Sequence, residues 1–240
     1  MEFTTKNTYS GTTTVSAGTL LVSAGDINSS AVTVEVGGRL VYNSSTARTN
    51  TITLNGNGML TRATLSGTGT ISTALVLDNI GDTLSPGNSP GIQNFGTSQS
   101  WNAFTYVWEL NNFTGTTAGT AFDQITITGG LTLTGGSGAY LLDITSLLAN
   151  NTPGNVPNFS EVNRSWTILT TTTGISGFNA ANWTLGKTAF SSSPTAAGTW
   201  ALTQSGNDLV LSYAVPEPAT WALLAFSLTT VMVLRRRRNS

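Results

Sequence analysis

Ten acidic residues precede position 215: Glu2, Asp26, Glu35, Asp78, Asp82, Glu109, Asp123, Asp143, Glu161 and Asp208. Two carboxylates held roughly 5–9 Å apart across a sugar would suffice for glycoside hydrolysis. Asp78 and Asp82 are close in sequence, but they flank Asn79, Ile80 and Gly81. That run forms a turn, so solvated turn carboxylates are the expected reading. Asp123 precedes an alternating stretch and reads as the cap of the turn before it. Histidine and cysteine are absent. Imidazole and thiolate ligands, disulfides and any histidine-dependent triad are therefore excluded. Arg39, Arg48 and Arg62 could serve as the base of a calcium-assisted lyase, yet no acidic cluster accompanies them. EF-hand, calcium-nonapeptide and P-loop patterns are missing too. The expectation is a chain that is not an enzyme, with no catalytic residue, no metal site and no cofactor.

Aromatic residues offer a different chemistry. Trp101, Phe104, Tyr106, Trp108 and Phe113 crowd into thirteen residues. If this stretch is a strand, Phe104, Tyr106 and Trp108 share one face. Such a face could stack on sugar rings, which would make an adhesin, or it could fill core volume. Core filling is the preferred reading. Only 9% of residues are charged, against a usual ~25%. Residues 1–214 hold six basic and ten acidic groups. With no basic stripe before the tail, nucleic acid is excluded as a partner.

The elements that would carry these residues are short strands. Apolar residues alternate with threonine or other polar residues at Val32–Val36, Thr51–Leu54, Ile125–Ile127, Leu131–Leu133, Trp166–Ile168 and Leu209–Leu211. Glycine-rich turns separate them, at Gly37–Gly38, Gly56–Gly58 and Gly129–Gly130 among others. The one stretch suited to a helix before residue 215 is Tyr140–Asn150. A Gly-x-(Leu/Ile) unit recurs at Gly18, Gly38, Gly58 and Gly69, at intervals of 20, 20 and 11 residues. That rhythm suits a solenoid, in which each coil pairs with its neighbours; a sandwich is the alternative. Pro86 and Pro90 cannot donate to a central ladder, so Leu84–Gly96 is expected on a loop or rim where modules change.

The C-terminus is of another kind. Pro216, Glu217 and Pro218 precede a charge-free run from Ala219 to Leu234, and Arg235, Arg236, Arg237 and Arg238 follow. As a helix the run would cover about 24 Å of the ~30 Å hydrocarbon layer. The arginines would stop transfer and stay in the cytoplasm, leaving everything before Val215 on the far side. The two prolines hold the tripeptide extended and out of helix or ladder.

Tripeptide, apolar span and arginine cluster together resemble the PEP-CTERM sorting tail of Gram-negative bacteria. The resemblance implies recognition and removal of the tail by an exosortase-type membrane peptidase. It further implies transient tethering to the inner membrane, then release or attachment at the cell surface, beside exopolysaccharide. The stretch from position 7 through Tyr9, Gly11, Val15 and Gly18 to Leu20 is similar to the autotransporter-associated β-strand repeat. Gly67–Ile71 with Leu84–Gly91, and the strand Asp123–Gly129, resemble further parts of such passengers. This second resemblance covers much of residues 6–135 and, more weakly, 160–213. It departs from the family where a sorting tail replaces the outer-membrane barrel. Passengers of that kind are right-handed parallel β-helices.

The expected fold is therefore all-β: a right-handed parallel β-solenoid with a β-rich C-terminal cap and a single C-terminal transmembrane helix. Residues 1–93 would form the repeat region, 94–214 a passenger-like region and cap, and 215–240 the sorting tail. The N-terminus lacks a signal peptide and begins inside a repeat, so a truncated N-terminus is expected. The expected function is that of a noncatalytic exported surface or matrix protein, with a carbohydrate-binding adhesin as the alternative.

Overall fold

A computed structural model describes residues 1–216 apart from positions 7 and 28. A two-residue strand, β1 (Glu2–Phe3), leads into three two-strand coils. These are β2 (Thr13–Val15) with β3 (Gly18–Val22), β4 (Ala31–Glu35) with β5 (Gly38–Tyr42), and β6 (Thr51–Asn55) with β7 (Ala63–Gly67). Four three-strand coils follow. The first two are β8 (Thr70–Ile71), β9 (Leu75–Val76) and β10 (Asp78–Pro86), then β11 (Ile92–Phe95), β12 (Gln99–Trp101) and β13 (Ala103–Leu110). The next are β14 (Gln124–Ile127), β15 (Gly130–Leu133) and β16 (Tyr140–Ser146), then β17 (Arg164–Thr171), β18 (Gly174–Ser176) and β19 (Trp183–Gly186). A hairpin, β20 (Thr199–Ser205) and β21 (Asp208–Ala214), completes the body. Among the described residues the remaining regular element is a 3₁₀ turn at Ala180–Asn182.

The fold is all-β with parallel sheets, consistent with a β-solenoid. Eight strands stack in one sheet, in the order β1-β3-β5-β7-β10-β13-β16-β19, every pair parallel. A second sheet runs β8-β11-β14-β17 in parallel and ends in the antiparallel pair β21-β20. The other two sheets are β2-β4-β6-β9 and β12-β15-β18. Gln99 links them: its Oε1 accepts from the Leu75 amide at 2.9 Å.

One inward row shows why the coils stack. Leu20, Leu40, Leu65, Leu84, Tyr106, Leu142 and Leu185 are successive register partners along the largest sheet. The first six are buried and Leu185 packs against the same core. Side chains alternate across a strand, so one apolar residue per coil at the same register builds a continuous hydrophobic column. In the wider C-terminal coils rings replace aliphatic chains: Trp101 packs on Phe104 at 5.0 Å, and Trp108 on Trp166 at 5.6 Å.

Several sequence expectations are corrected here. Gly18 and Gly38 are register partners as the 20-residue spacing requires, but Leu60 is 98% exposed and the true partner of Leu40 is Leu65. The third coil carries a longer corner, which a fixed period cannot register. Tyr140–Asn150 is not helical; Tyr140–Ser146 is the strand between β13 and β19. Its apolar run reads as strand because both neighbours supply ladder partners. Most of Leu84–Gly96 is also strand, with only residues 87–91 between β10 and β11. Pro86 escapes the ladder penalty by standing last in β10, opposite Gly67. The boundary drawn at 93/94 falls inside β11, which pairs with both β8 and β14. No helix among the described residues is long and apolar enough to cross a membrane. The span expected over Ala219–Leu234 lies outside the described residues.

Trp108 is fully buried and donates from Nε1 to the Asp123 carbonyl at 2.8 Å. Trp108→Ala is expected to cost about 3–5 kcal/mol in chemical denaturation. Leu60→Ala should stay within about 0.5 kcal/mol of the parent.

Candidate functional site

The residues singled out for chemistry separate into three places. Phe104, Tyr106 and Trp108 do share one face of β13, but that face points inward, and none is more than 1% exposed. Tyr106 spends its hydroxyl on the Ile168 carbonyl at 2.9 Å. None of these three rings has a face free for a sugar, so sugar stacking at Phe104, Tyr106 and Trp108 gives way to core filling.

The carboxylates form a second group, and two of them depart from expectation. Asp82 is neither solvated nor on a turn; it is completely buried within β10, beside the corner that follows β6. Its Oδ1 accepts from the Gly56 amide at 2.7 Å, and its Oδ2 from the Asp78 and Asn79 amides, each at 3.0 Å. The corner can approach β10 this closely because positions 56 and 81 are glycines; a Cβ on Gly56 would overlap the Gly81 carbonyl. Burial pushes the Asp82 carboxyl up to about 6, against the pull of its three amide donors; the nearby Asp78 charge adds to the rise. Asp123 is buried as well. It joins two neighbouring coils, accepting from Gly91 N at 2.7 Å and from Glu109 N on β13 at 3.0 Å. Burial, then the neighbouring Glu109 charge, raises its carboxyl well above the usual range. Burial likewise raises Glu109, while Arg39 opposes it.

The arginines are engaged too. Arg48 is buried at a corner and donates to the Ile27 and Ser29 carbonyls, the latter at 2.9 Å, with Asp26 at 3.5 Å. Arg62 pairs with Asp143 at 3.0 Å. Among the described residues no three metal-ligating side chains cluster. Asp82, Asp123 and Arg48 thus bind backbone partners, while Arg62 binds a carboxylate.

The third place is the exit of the tail. β21 lies between β17 and β20, antiparallel to both, with Tyr213 opposite Arg164 and Trp200. Tyr213 is buried; its ring meets Phe113 at 5.6 Å and Trp200 at 5.1 Å. Its hydroxyl donates to Glu161 Oε2 at 2.7 Å and accepts from the Gly198 amide at 2.7 Å. Burial, followed by that Glu161 bond, raises the phenol above its usual range. One residue past the strand, the Val215 amide donates to Asn163 Oδ1 at 2.8 Å. Pro216 is exposed at the end of the described chain. Glu217, Pro218, Arg235, Arg236, Arg237 and Arg238 lie outside the described residues. Sequence reading missed Asn163 and Glu161, because partners some fifty positions apart leave no local pattern.

Fold and exit together define an all-β, parallel-sheet body that hands its last strand directly to a sorting segment. Residues 214–238 match the family model of the PEP-CTERM protein-sorting motif. That match supports an exported bacterial protein, sorted through its C-terminal tail and processed by an exosortase, itself a membrane protein. No curated protein matches the chain.

The buried Asp82 carboxyl generates a pH prediction. Its folded value, about 6, lies above the ordinary 3.8. Its contribution to stability is thus full below about pH 4 and is lost as pH rises through about 6. The stability difference between the parent and Asp82→Asn should therefore shift against the parent between about pH 4 and pH 7. Thermal unfolding of both proteins across that window checks this; a difference independent of pH contradicts it.

Proposed function

We propose that the chain is a noncatalytic scaffold, exported as an inner-membrane-tethered precursor and delivered by its tail to the cell surface or extracellular matrix of a Gram-negative bacterium. In this reading the body is a right-handed β-solenoid of the autotransporter-associated repeat type. The span over Ala219–Leu234 and the block Arg235–Arg238 hold the precursor in the membrane until an exosortase-type peptidase acts. Residence beside exopolysaccharide follows from the same reading.

The observation that carries it is the sorting match at residues 214–238 on a body whose buried charges are spent on its own backbone. Asp82, Asp123 and Arg48 each satisfy backbone groups at corners or strand irregularities, which is what a passive scaffold needs of them. The adhesin alternative has lost its aromatic platform, since the three rings proposed for it are interior. A regular column of coils also suits an extended matrix component, because its length grows by repetition without a new core design.

Replacing Pro216, Glu217 and Pro218 with alanine is expected to leave an uncut precursor in the membrane fraction. Immunoblots of membrane, surface and medium fractions read this directly. Arrival of the variant in the medium at its normal processed size would sink the proposal.

A further inference from the structure

The segment matched by the sorting motif begins at Ala214, and Ala214 is the last residue of β21. The motif therefore starts inside a paired strand. Ala214 stands opposite Thr199, and Tyr213 opposite both Arg164 and Trp200. Beyond the strand, Asn163 takes the Val215 amide at 2.8 Å. Glu161 fastens two points at once: Oε2 accepts from the Tyr213 hydroxyl and Oε1 from the Ala197 amide, each at 2.7 Å. Val215 also packs on the core, and the first free residue is Pro216.

Peptide recognition in an extended groove depends on main-chain hydrogen bonds from the peptide. Tyr213 and Ala214 are already paired in the cap, and the Val215 amide is taken by Asn163. Space is short as well: from Ala214 to Ala219, where the charge-free run starts, the chain can reach at most about 17 Å. Tail removal, written as hydrolysis, breaks one backbone C–N bond. Water supplies a hydroxyl to the new carboxyl end and a proton to the leaving amine. Whatever enzyme performs it needs chain that is free of the sheet.

We propose that Asn163 and Glu161 are positioning residues that hold the end of β21 against the cap and thereby limit the rate at which the sorting tail is removed. This rests on the sorting reading above. Cleavage then follows the population of a locally opened state in which Tyr213–Val215 has left the sheet. Asn163 is the more specific lever, since its Oδ1 bonds the residue before the tripeptide, whereas Glu161 also holds the Ala197 amide.

The test is pulse-chase of the full precursor in cells that carry the processing peptidase. Asn163→Ala should raise the rate of tail removal roughly two- to tenfold, the factor set by loss of one hydrogen bond. Hydrogen exchange at the Val215 amide of the intact precursor should accelerate by a similar factor. A short Gly/Ser spacer between Val215 and Pro216 leaves the clamp intact but moves the tripeptide away from it. It should also speed removal, and in that background Asn163→Ala should add nothing. Parent-like processing of Asn163→Ala despite faster exchange would overturn the proposal, as would a spacer variant processed at the parent rate or slower. The triple-alanine tripeptide variant separates the two ideas: if it too is processed normally, the sorting reading has failed rather than the clamp.

Discussion

Parallel coils impose a constraint that the whole structure answers. Along each strand the backbone bonds to the coil above and below, but at every corner the ladder stops and buried N–H and C=O groups need other partners. Leaving one unpaired in the interior costs about 1–3 kcal/mol. In this chain, side chains with otherwise expensive charges supply the missing partners. Asp82 gathers three amides and Asp123 two, while Arg48 serves two carbonyls. Their burial is tolerated because each charge sits among backbone dipoles of opposite sense. The raised carboxyl values of Asp82 and Asp123 record the residual cost. A scarcity of charge on the chain and the use of that charge at corners are thus two sides of one design.

Much of the coil pattern was legible from alternation alone. Val32–Val36 and Thr51–Leu54 fall within one residue of β4 and β6, because in a half-exposed parallel strand the inward residues must be apolar and the outward ones need not be. The pairing Gly18↔Gly38 was legible for a similar reason: two coils of equal length keep their glycines in register. What defeated the period was corner length. Between Leu40 and Leu65 the chain makes the detour through Gly56–Arg62, and Leu60, the residue the spacing placed in the core, points into solvent. A period detects repetition, and it fails where a corner absorbs extra residues without disturbing the strands.

The site residues were legible in proportion to how local their partners are. Pro216, Glu217 and Pro218 announce themselves by order along the chain, and the arginine block does the same. Asp82 looked like a turn residue, but it binds the amides of Asp78 and Asn79 within its own strand, β10, where the register with β13 shifts. Its third donor, Gly56, comes from the coil before, and that bond turns a solvated carboxylate into a buried one. Asn163 and Glu161 gave no sign at all, since their partners Val215 and Tyr213 lie 52 residues on.

The cap explains why the tail can begin so abruptly. An open parallel sheet ends in unpaired backbone groups, which invite pairing with another chain. Here β21 and β20 turn antiparallel against β17 and finish that sheet. Antiparallel pairing reverses the chain, so that β21 runs back beside the start of β17, next to Glu161 and Asn163. The same reversal buries Tyr213 against Phe113 and Trp200, fixing the strand to the aromatic end of the core. A parallel final strand would need a further crossover. The switch out of parallel stacking and a firm hold on the residues before the tripeptide therefore come from one hairpin, and loosening either would loosen the other.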